Sequence, residues 1–516
     1  MARMTHYVRV RTIERFLEAL TAFMRTIRHL RSTAALLSWD QETNMPAHAA
    51  ERRAQQLATL EELIHREFTA LSTRRLAERA QELLPSLPDS KQPMVRLFLR
   101  EYRRIASLPR RLLRELAYTQ ALAVESWRYA RRENDFSLLA PYLRKILELK
   151  REQTECYGYT EHPYDALLEL YEPNLRLAQL HPLLTQVAEK MRHLLAWVHE
   201  RPHPPTPSFR NPVPCAAQFM LGRSLCEAIG FNPQRGRIDY STHPFCVGLA
   251  PEDVRITTRC QESDPRVCIY SLLHELGHAL YEQNLPTELA DTFAGEGAST
   301  ALHESQSLLW EDIIGRSFAF CRWATPLWRR YFHGDLDSPW QHLTPEELFA
   351  AVNLVRPSLI RTEADEVTYH LHILLRLELE VELLRGTLPV RELPEAWNAG
   401  MQRLLGLRPP DDRTGCLQDI HWALGDFGYF PSYTLGKLYA AMFWRRLQEE
   451  LPDVEEAIAD GEFTPILQWL YRHIYSVGAL ETPTEILQRV TGKPLTPDDF
   501  VEYITAKVHR VYAHTL

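Results

Sequence analysis

Ile269-Tyr270-Ser271-Leu272-Leu273-His274-Glu275-Leu276-Gly277-His278-Ala279-Leu280-Tyr281 is the stretch that decides how this chain is read. At about 100° per residue, Ile269, Leu272, Leu273, Leu276 and Leu280 form one apolar stripe of an α-helix. His274 and His278 fall opposite that stripe, one turn apart, so both imidazoles can reach a single ion. Val267, Tyr270 and Tyr281 share the histidine side, which predicts a helix covered on both faces. Two covered imidazoles need a partner, and a metal ion is a good one. Zinc takes neutral histidine nitrogen and, in a reactive site, three protein ligands plus a water. Glu275, between the two histidines, is placed to take a proton from that water.

The third ligand lies downstream. A third His after a Gly fails here, because Tyr281 and Asn284 occupy those places. A carboxylate on a second helix is the other solution, and Glu296 and Glu304 are the candidates. The pattern of Ala298, Ala301, Leu302, Leu309 and Ile313 predicts a helix over 298–314, with Glu304 on the flank of its apolar stripe. A carboxylate there costs free energy unless paired, which favours Glu304. Glu296, beside Gly295 and Gly297, suits a helix N-terminus.

Further outward, the texture is helical. Leu, Ala and Ile recur at three- and four-residue spacing over 8–38, 50–82, 92–132, 136–157 and 176–199, and again from about 266 to the end. Strand material is confined to 244–249 and 254–258, rich in β-branched or aromatic residues, and predicts a small sheet beside the metal helix. Arg201 to Pro214 holds six prolines and cannot be helix. It reads as a connector within one unit, 1–516, between an N-terminal helical half (1–200) and a metal-binding half (215–516).

Composition excludes several classes. A net charge of −8 gives no basic footprint for nucleic acid. No stretch approaches the roughly 18 apolar residues of a membrane span. Met1 to Leu20 interleaves Arg and Glu with its apolar residues, unlike a signal peptide. The eight cysteines form no C-x-x-C pair and read as free thiols of a reducing, cytoplasmic compartment. Only seven of the 59 basic residues are Lys, a bias compatible with a thermophilic source or a G+C-rich genome.

Several blocks carry a family resemblance. They are Trp39-Asp40-Gln41-Glu42-Thr43-Asn44-Met45-Pro46, His243-Pro244-Phe245, Asp253-Val254-Arg255-Ile256-Thr257 and the His274–His278 run. Downstream come His303-Glu304-Ser305-Gln306, Ile360-Arg361-Thr362-Glu363-Ala364-Asp365 and Gly415-Cys416-Leu417-Gln418-Asp419-Ile420-His421-Trp422. In this order they resemble the carboxypeptidase Taq family of metallopeptidases. The resemblance implies a mainly α fold with a deep substrate groove, one zinc or cobalt ion per chain and a homodimer. It implies removal of single residues from peptide C-termini, with broad tolerance except for C-terminal Pro. It also implies Glu304 as third ligand. Leu308 and Cys260 depart from the family pattern, where Arg and Tyr are expected.

The chemistry then needs named residues. Glu275 is the base. His421 and Tyr433 are candidates to donate hydrogen bonds to the oxyanion, by analogy with related helical zinc peptidases. Their bland alternative is core packing. Arg361 and Arg255 are candidates to read the substrate carboxylate through a bidentate fork. Against this, Arg361 could simply pair with Asp365 on one helix face, and Arg255 could point outward from an edge strand. His243 and Asp253 flank that strand and could orient substrate or Arg255. The strand itself could take a peptide as an added strand. Two rivals remain: a helical zinc oligopeptidase or endopeptidase, and an inactive helical interaction protein.

Overall fold

The computed structural model describes residues 2–204, 212–332 and 339–513. The centre of the proline-rich connector, 205–211, lies outside the described residues. Helices dominate, as the periodicity requires. The 8–38 pattern sits within one long helix, Ala2–Thr43. The 50–82 pattern divides at Ala70 into Ala50–Thr69 and Leu71–Leu83. The 92–132 pattern is two helices, Gln92–Ala106 and Arg110–Glu133. Pro109 explains that break, since its ring bars helical backbone at Leu108 and it lacks an N–H.

The sheet has three strands: β1 (Gly236–Tyr240), β2 (Cys246–Ala250) and β3 (Asp253–Thr258), in the order β1-β3-β2. β3 runs parallel to β1 and antiparallel to β2. Arg255 therefore lies on the central strand, not the expected edge strand. The extra strand β1 escaped the periodicity because it is five residues long and carries one β-branched residue. The sheet packs on the Arg266–Gln283 helix, with β2 as the edge toward the cleft.

One large core runs from Ala123 to Tyr512 and contains the metal helix. A second, from Phe16 to Leu99, is closed by Phe293, Ala294 and Ala479 from the other side. Phe68 against Phe293, ring centroids 6.3 Å apart, is the contact that closes this second core. Ser32 also donates a 2.7 Å hydrogen bond to the Leu249 carbonyl of β2. Residues from both cores line a cleft of about 1400 Å³.

Two cysteines depart from the expected free thiols. Cys215 and Cys260 form a disulfide, with Cα atoms 5.6 Å apart and a sequence separation of 45. Spacing alone could not show this. The bridge joins the first residue of the Cys215–Ile229 helix to the residue two beyond β3, a contact only the folded sheet creates. Cys260, one of the family departures, thus has a partner. The other six cysteines are free. Among the described residues, no helix is long and apolar enough to cross a membrane.

Candidate active site

The apolar stripe of the Arg266–Gln283 helix is buried as read, with Ile269, Leu272, Leu273, Leu276 and Leu280 at most 1% exposed. Tyr270 and Tyr281 cover the other side and are also buried. His274 and His278 open from that side into the cleft. Their Nε2 atoms lie 3.7 and 3.6 Å from the two carboxylate oxygens of Glu304. Ligand atoms of the three residues all lie within 4.8 Å of one another. A tetrahedral zinc site with bonds of about 2.0–2.1 Å separates its ligand atoms by about 3.3 Å, so the donor set fits a small divalent ion.

Two glycines place Glu304. A Cβ on Gly277 would stand 2.3 Å from the Gln306 carbonyl, so the metal helix can cross Thr300–Leu308 only with Gly there. A Cβ on Gly436, in the Pro431–Glu450 helix, would meet the Glu304 Cβ at 2.8 Å. Glu304 is thus pressed between two backbones and turned toward the histidines. Ser299 caps its helix by accepting from the Leu302 N–H at 3.0 Å. Glu296, the rival ligand, is paired with Arg28 instead.

The histidines are themselves oriented. With an ion held by each Nε2, each Nδ1 would carry the proton. His274 Nδ1 donates to Glu311 at 2.9 Å. His278 Nδ1 donates to His303 Nδ1 at 2.6 Å, and His303 Nε2 donates to Glu282 at 2.8 Å. Such partners fix the tautomer and strengthen the ligand. Glu311 sits in a π-helical segment, Leu309–Ile314, that continues the Glu304 helix; such segments are frequent at functional sites. Glu311 is clasped from behind by Arg316 at 2.6 Å.

Charge is concentrated here. Burial alone would raise Glu311, but the His274 hydrogen bond and the Arg316 charge outweigh it and bring it down to about 2. Burial would lower His274, yet Glu304, Glu311 and Glu275 together lift it to about 10. His278 is pushed well down by burial and by the neighbouring His303 and His274. Burial raises Glu275 to about 7, opposed by His274 and reinforced by Glu304 and Glu311. A cation among these carboxylates relieves their mutual repulsion, which is a second indication that the group fits.

The remaining residues named from the sequence fall in two places. Tyr433 lines the cleft with Tyr429, their rings 5.5 Å apart, and Glu304 acts on both hydroxyls. His421 lies against Tyr429 and Phe430, at 5.5 and 4.5 Å between rings. Burial and the charges of Arg361 and Arg376 hold it down to about 4, against the pull of Asp419, so it is neutral and can donate. Arg361 is 5% exposed and stands behind Tyr433, 5.0 Å from the ring centroid. It does not pair with Asp365, which instead accepts from the Val367 and Thr368 N–H groups. Asp419 holds Arg361 through Nε and Nη2 at 3.1 and 2.8 Å, and Nη1 donates to the Tyr369 hydroxyl at 2.7 Å.

Arg255 and Asp253 sit apart from this group. Asp253 accepts from Arg255 at 2.8 Å, and the guanidinium covers Trp39 at 4.4 Å. This cation–π contact pins the first helix to the sheet. His243 is exposed at the turn before β2, where its carbonyl accepts from Ser241 at 2.6 Å. Sequence reasoning passed over Glu311, Glu282, Arg376 and the role of Asp419. Glu311 had one signal, its seven-residue offset from Glu304, which returns to the same helix face after two turns.

The signature of the carboxypeptidase Taq (M32) metallopeptidases matches residues 19–508. The chain belongs to that family. It is on that ground a metallocarboxypeptidase. It is similar to thermostable carboxypeptidase 1 of Thermus thermophilus, 39% identical over 97% of this chain and 100% of that protein. Carboxypeptidase 1 of Bacillus subtilis is 36% identical over 95% of this chain and 97% of its own length. The crystal structure of the M32 carboxypeptidase from Deinococcus radiodurans superposes with a TM-score of 0.92 at 34% identity, covering 96% of this chain and 99% of that one. The enzyme's helical fold and small sheet are those the sequence implied.

Proposed function

We propose that the enzyme removes single residues from peptide C-termini with broad tolerance, using one zinc or cobalt ion held by His274, His278 and Glu304. The observation that carries this is the convergence of three ligand atoms on the cleft, with Glu275 beside them and 6% exposed. Held by these three residues, a divalent ion would supply Lewis acidity toward the scissile carbonyl and the attacking water. Glu275 is placed to take a proton from that attacking water and to hand one to the leaving amine. Tyr433 donates to the oxyanion, and neutral His421 stands behind Tyr429 as a second donor.

Peptide lies along β2, whose outer edge is unpaired among the described residues and whose Cys246 and Gly248 face the cleft. A C-terminal Pro offers no N–H at the scissile bond and is disfavoured. Arg361 is better placed than Arg255 to read the substrate carboxylate. Both guanidiniums are already engaged, Arg361 by Asp419 and Tyr369 and Arg255 by Asp253, but Arg361 stands directly behind Tyr433 of the cleft lining, whereas Arg255 lies over Trp39. His243 and Asp253 support the sheet and the strand beside it. We take residues 1–200 to cover the groove, in line with Arg28 and Arg100 among its lining. A homodimer acting on peptides and not on nucleic acid or membranes completes the reading; a cytoplasmic place for it accords with the Cys215–Cys260 bridge in a hyperthermophile, whose intracellular proteins carry disulfides.

An endopeptidase on the same metal site is the alternative to exclude. Matched peptides with a free or amidated C-terminus decide between them. Loss of cleavage on amidation supports the exopeptidase; undiminished cleavage of the amide overturns it.

A further inference from the structure

The cleft wall facing the metal centre is charged, and its charges do not balance. The carboxylates along it are engaged. Glu296 pairs with Arg28, Glu169 with Arg176 at 2.8 Å, Glu282 with His303 at 2.8 Å, and Asp165 accepts from the Leu177 N–H at 2.7 Å. Glu101 is shared by two cations, Arg31 and Arg104, each at 2.9 Å. Two further arginines of the lining, Arg100 and Arg103, have guanidinium groups with no ion pair and no hydrogen bond among the described residues. They lie three apart in Gln92–Ala106, hence on one helix face, which Arg104 shares one turn on from Arg100.

The wall therefore holds Arg31, Arg100, Arg103 and Arg104 against one adjacent carboxylate, Glu101, with Glu296, already paired with Arg28, and Glu61 acting on Arg31 at a distance. Solvated surface arginines are common, but these line a concave site whose low-dielectric walls concentrate their field. The wall also meets both working parts of the cleft. Arg31 adjoins Ser32, which is bonded to β2 at Leu249, and Arg28 holds the Glu296 loop that leads to the Glu304 helix. A peptide laid along β2 would share the cleft with this wall.

We propose that Arg100 and Arg103 accept acidic side chains of the substrate upstream of the scissile bond, so that the enzyme favours peptides with Asp or Glu there. This rests on the carboxypeptidase reading for the direction of the peptide, but the anion selectivity has its own readout. Guanidinium forks suit carboxylates bidentately and keep their charge at every working pH.

The test uses peptides identical except for Glu or Gln at successive positions before the C-terminal residue. Hydrolysis is measured on the zinc-loaded enzyme, and binding on the zinc-loaded Glu275→Gln form, with and without Arg100→Gln and Arg103→Gln. Exposed charge pairs are worth up to about 1 kcal/mol each, so the Glu peptide should bind and turn over roughly fivefold better. Added salt should erode that preference. The double arginine variant should lose it, bringing the ratio of Glu-peptide to Gln-peptide cleavage to about one. Equal binding of both peptides, or a preference that survives in the double variant, overturns the proposal. Selective binding without removal of the C-terminal residue upholds the anion wall and overturns the carboxypeptidase reading instead.

Discussion

At the residue scale the metal centre depends on what stands behind the ligands. Glu311 orients His274 and is itself held by Arg316. Glu311→Gln should therefore weaken metal binding by roughly 10–100-fold while leaving the fold intact. Chelator competition measures this, and an unchanged affinity would show that Glu311 is only structural. Gly436 makes a second case. Its hydrogen is all that fits against Glu304, so Gly436→Ala forces overpacking of about 1–3 kcal/mol. Thermal unfolding and metal titration should both report the loss; a variant with unaltered metal affinity would mean the two helices part freely. His274, Glu275 and His278 were legible from spacing alone, because helix geometry turns a five-residue pattern into one face. Glu311, Arg316 and Asp419 were not, because each meets its partner through a fold-level contact that no local pattern records.

At the element scale, the segment Gly415–Trp422 is bound to two helices through one buried carboxylate. Asp419 grips Arg361 on one oxygen and Arg376 on the other, the latter through Nε and Nη2 at 2.8 and 2.5 Å. Asp419→Ala strands two buried guanidiniums and should cost about 3–5 kcal/mol, read by denaturant unfolding. A loss within error of zero would mean water replaces the carboxylate. The same region carries an acid-sensitive load. Burial, with nearby cations, holds His370 and His372 down to about 3 and His421 to about 4. The unfolded chain takes these protons near pH 6.5. Stability is therefore fully present above about 6.5 and is lost as the pH falls toward 3–4. His372→Asn should flatten that slope by one proton; an identical slope would assign the acid loss to other groups. Helix periodicity gave the elements themselves, and its errors are local. The 92–132 pattern hid a break at Pro109, and strand β1 was too short to register.

At the scale of the whole molecule, two cores face each other across one cleft, and the contacts that close it are long in sequence. Phe293 and Ala479 reach back to the core of residues 16–99, and Arg28 reaches forward to Glu296. The cleft was implied by family resemblance and could not have been read from any single segment. The disulfide was likewise invisible, since Cys215 and Cys260 meet only because the segment after β3 returns beside the start of the Cys215–Ile229 helix. In the loop-entropy account, closing 45 residues stabilises the fold by about 4 kcal/mol. Reduction, or Cys260→Ser, should lower the thermal midpoint by several degrees without removing the metal ligands; an unchanged midpoint would show that the bridge constrains little. The central claim joins all three scales: a metal held by His274, His278 and Glu304 works only with Glu275 as base. Glu275→Gln, assayed for bound zinc and for release of the C-terminal residue, tests it most directly. The account predicts about one zinc per chain with hydrolysis reduced by roughly 10²–10⁴-fold. Full hydrolysis by that variant would contradict it.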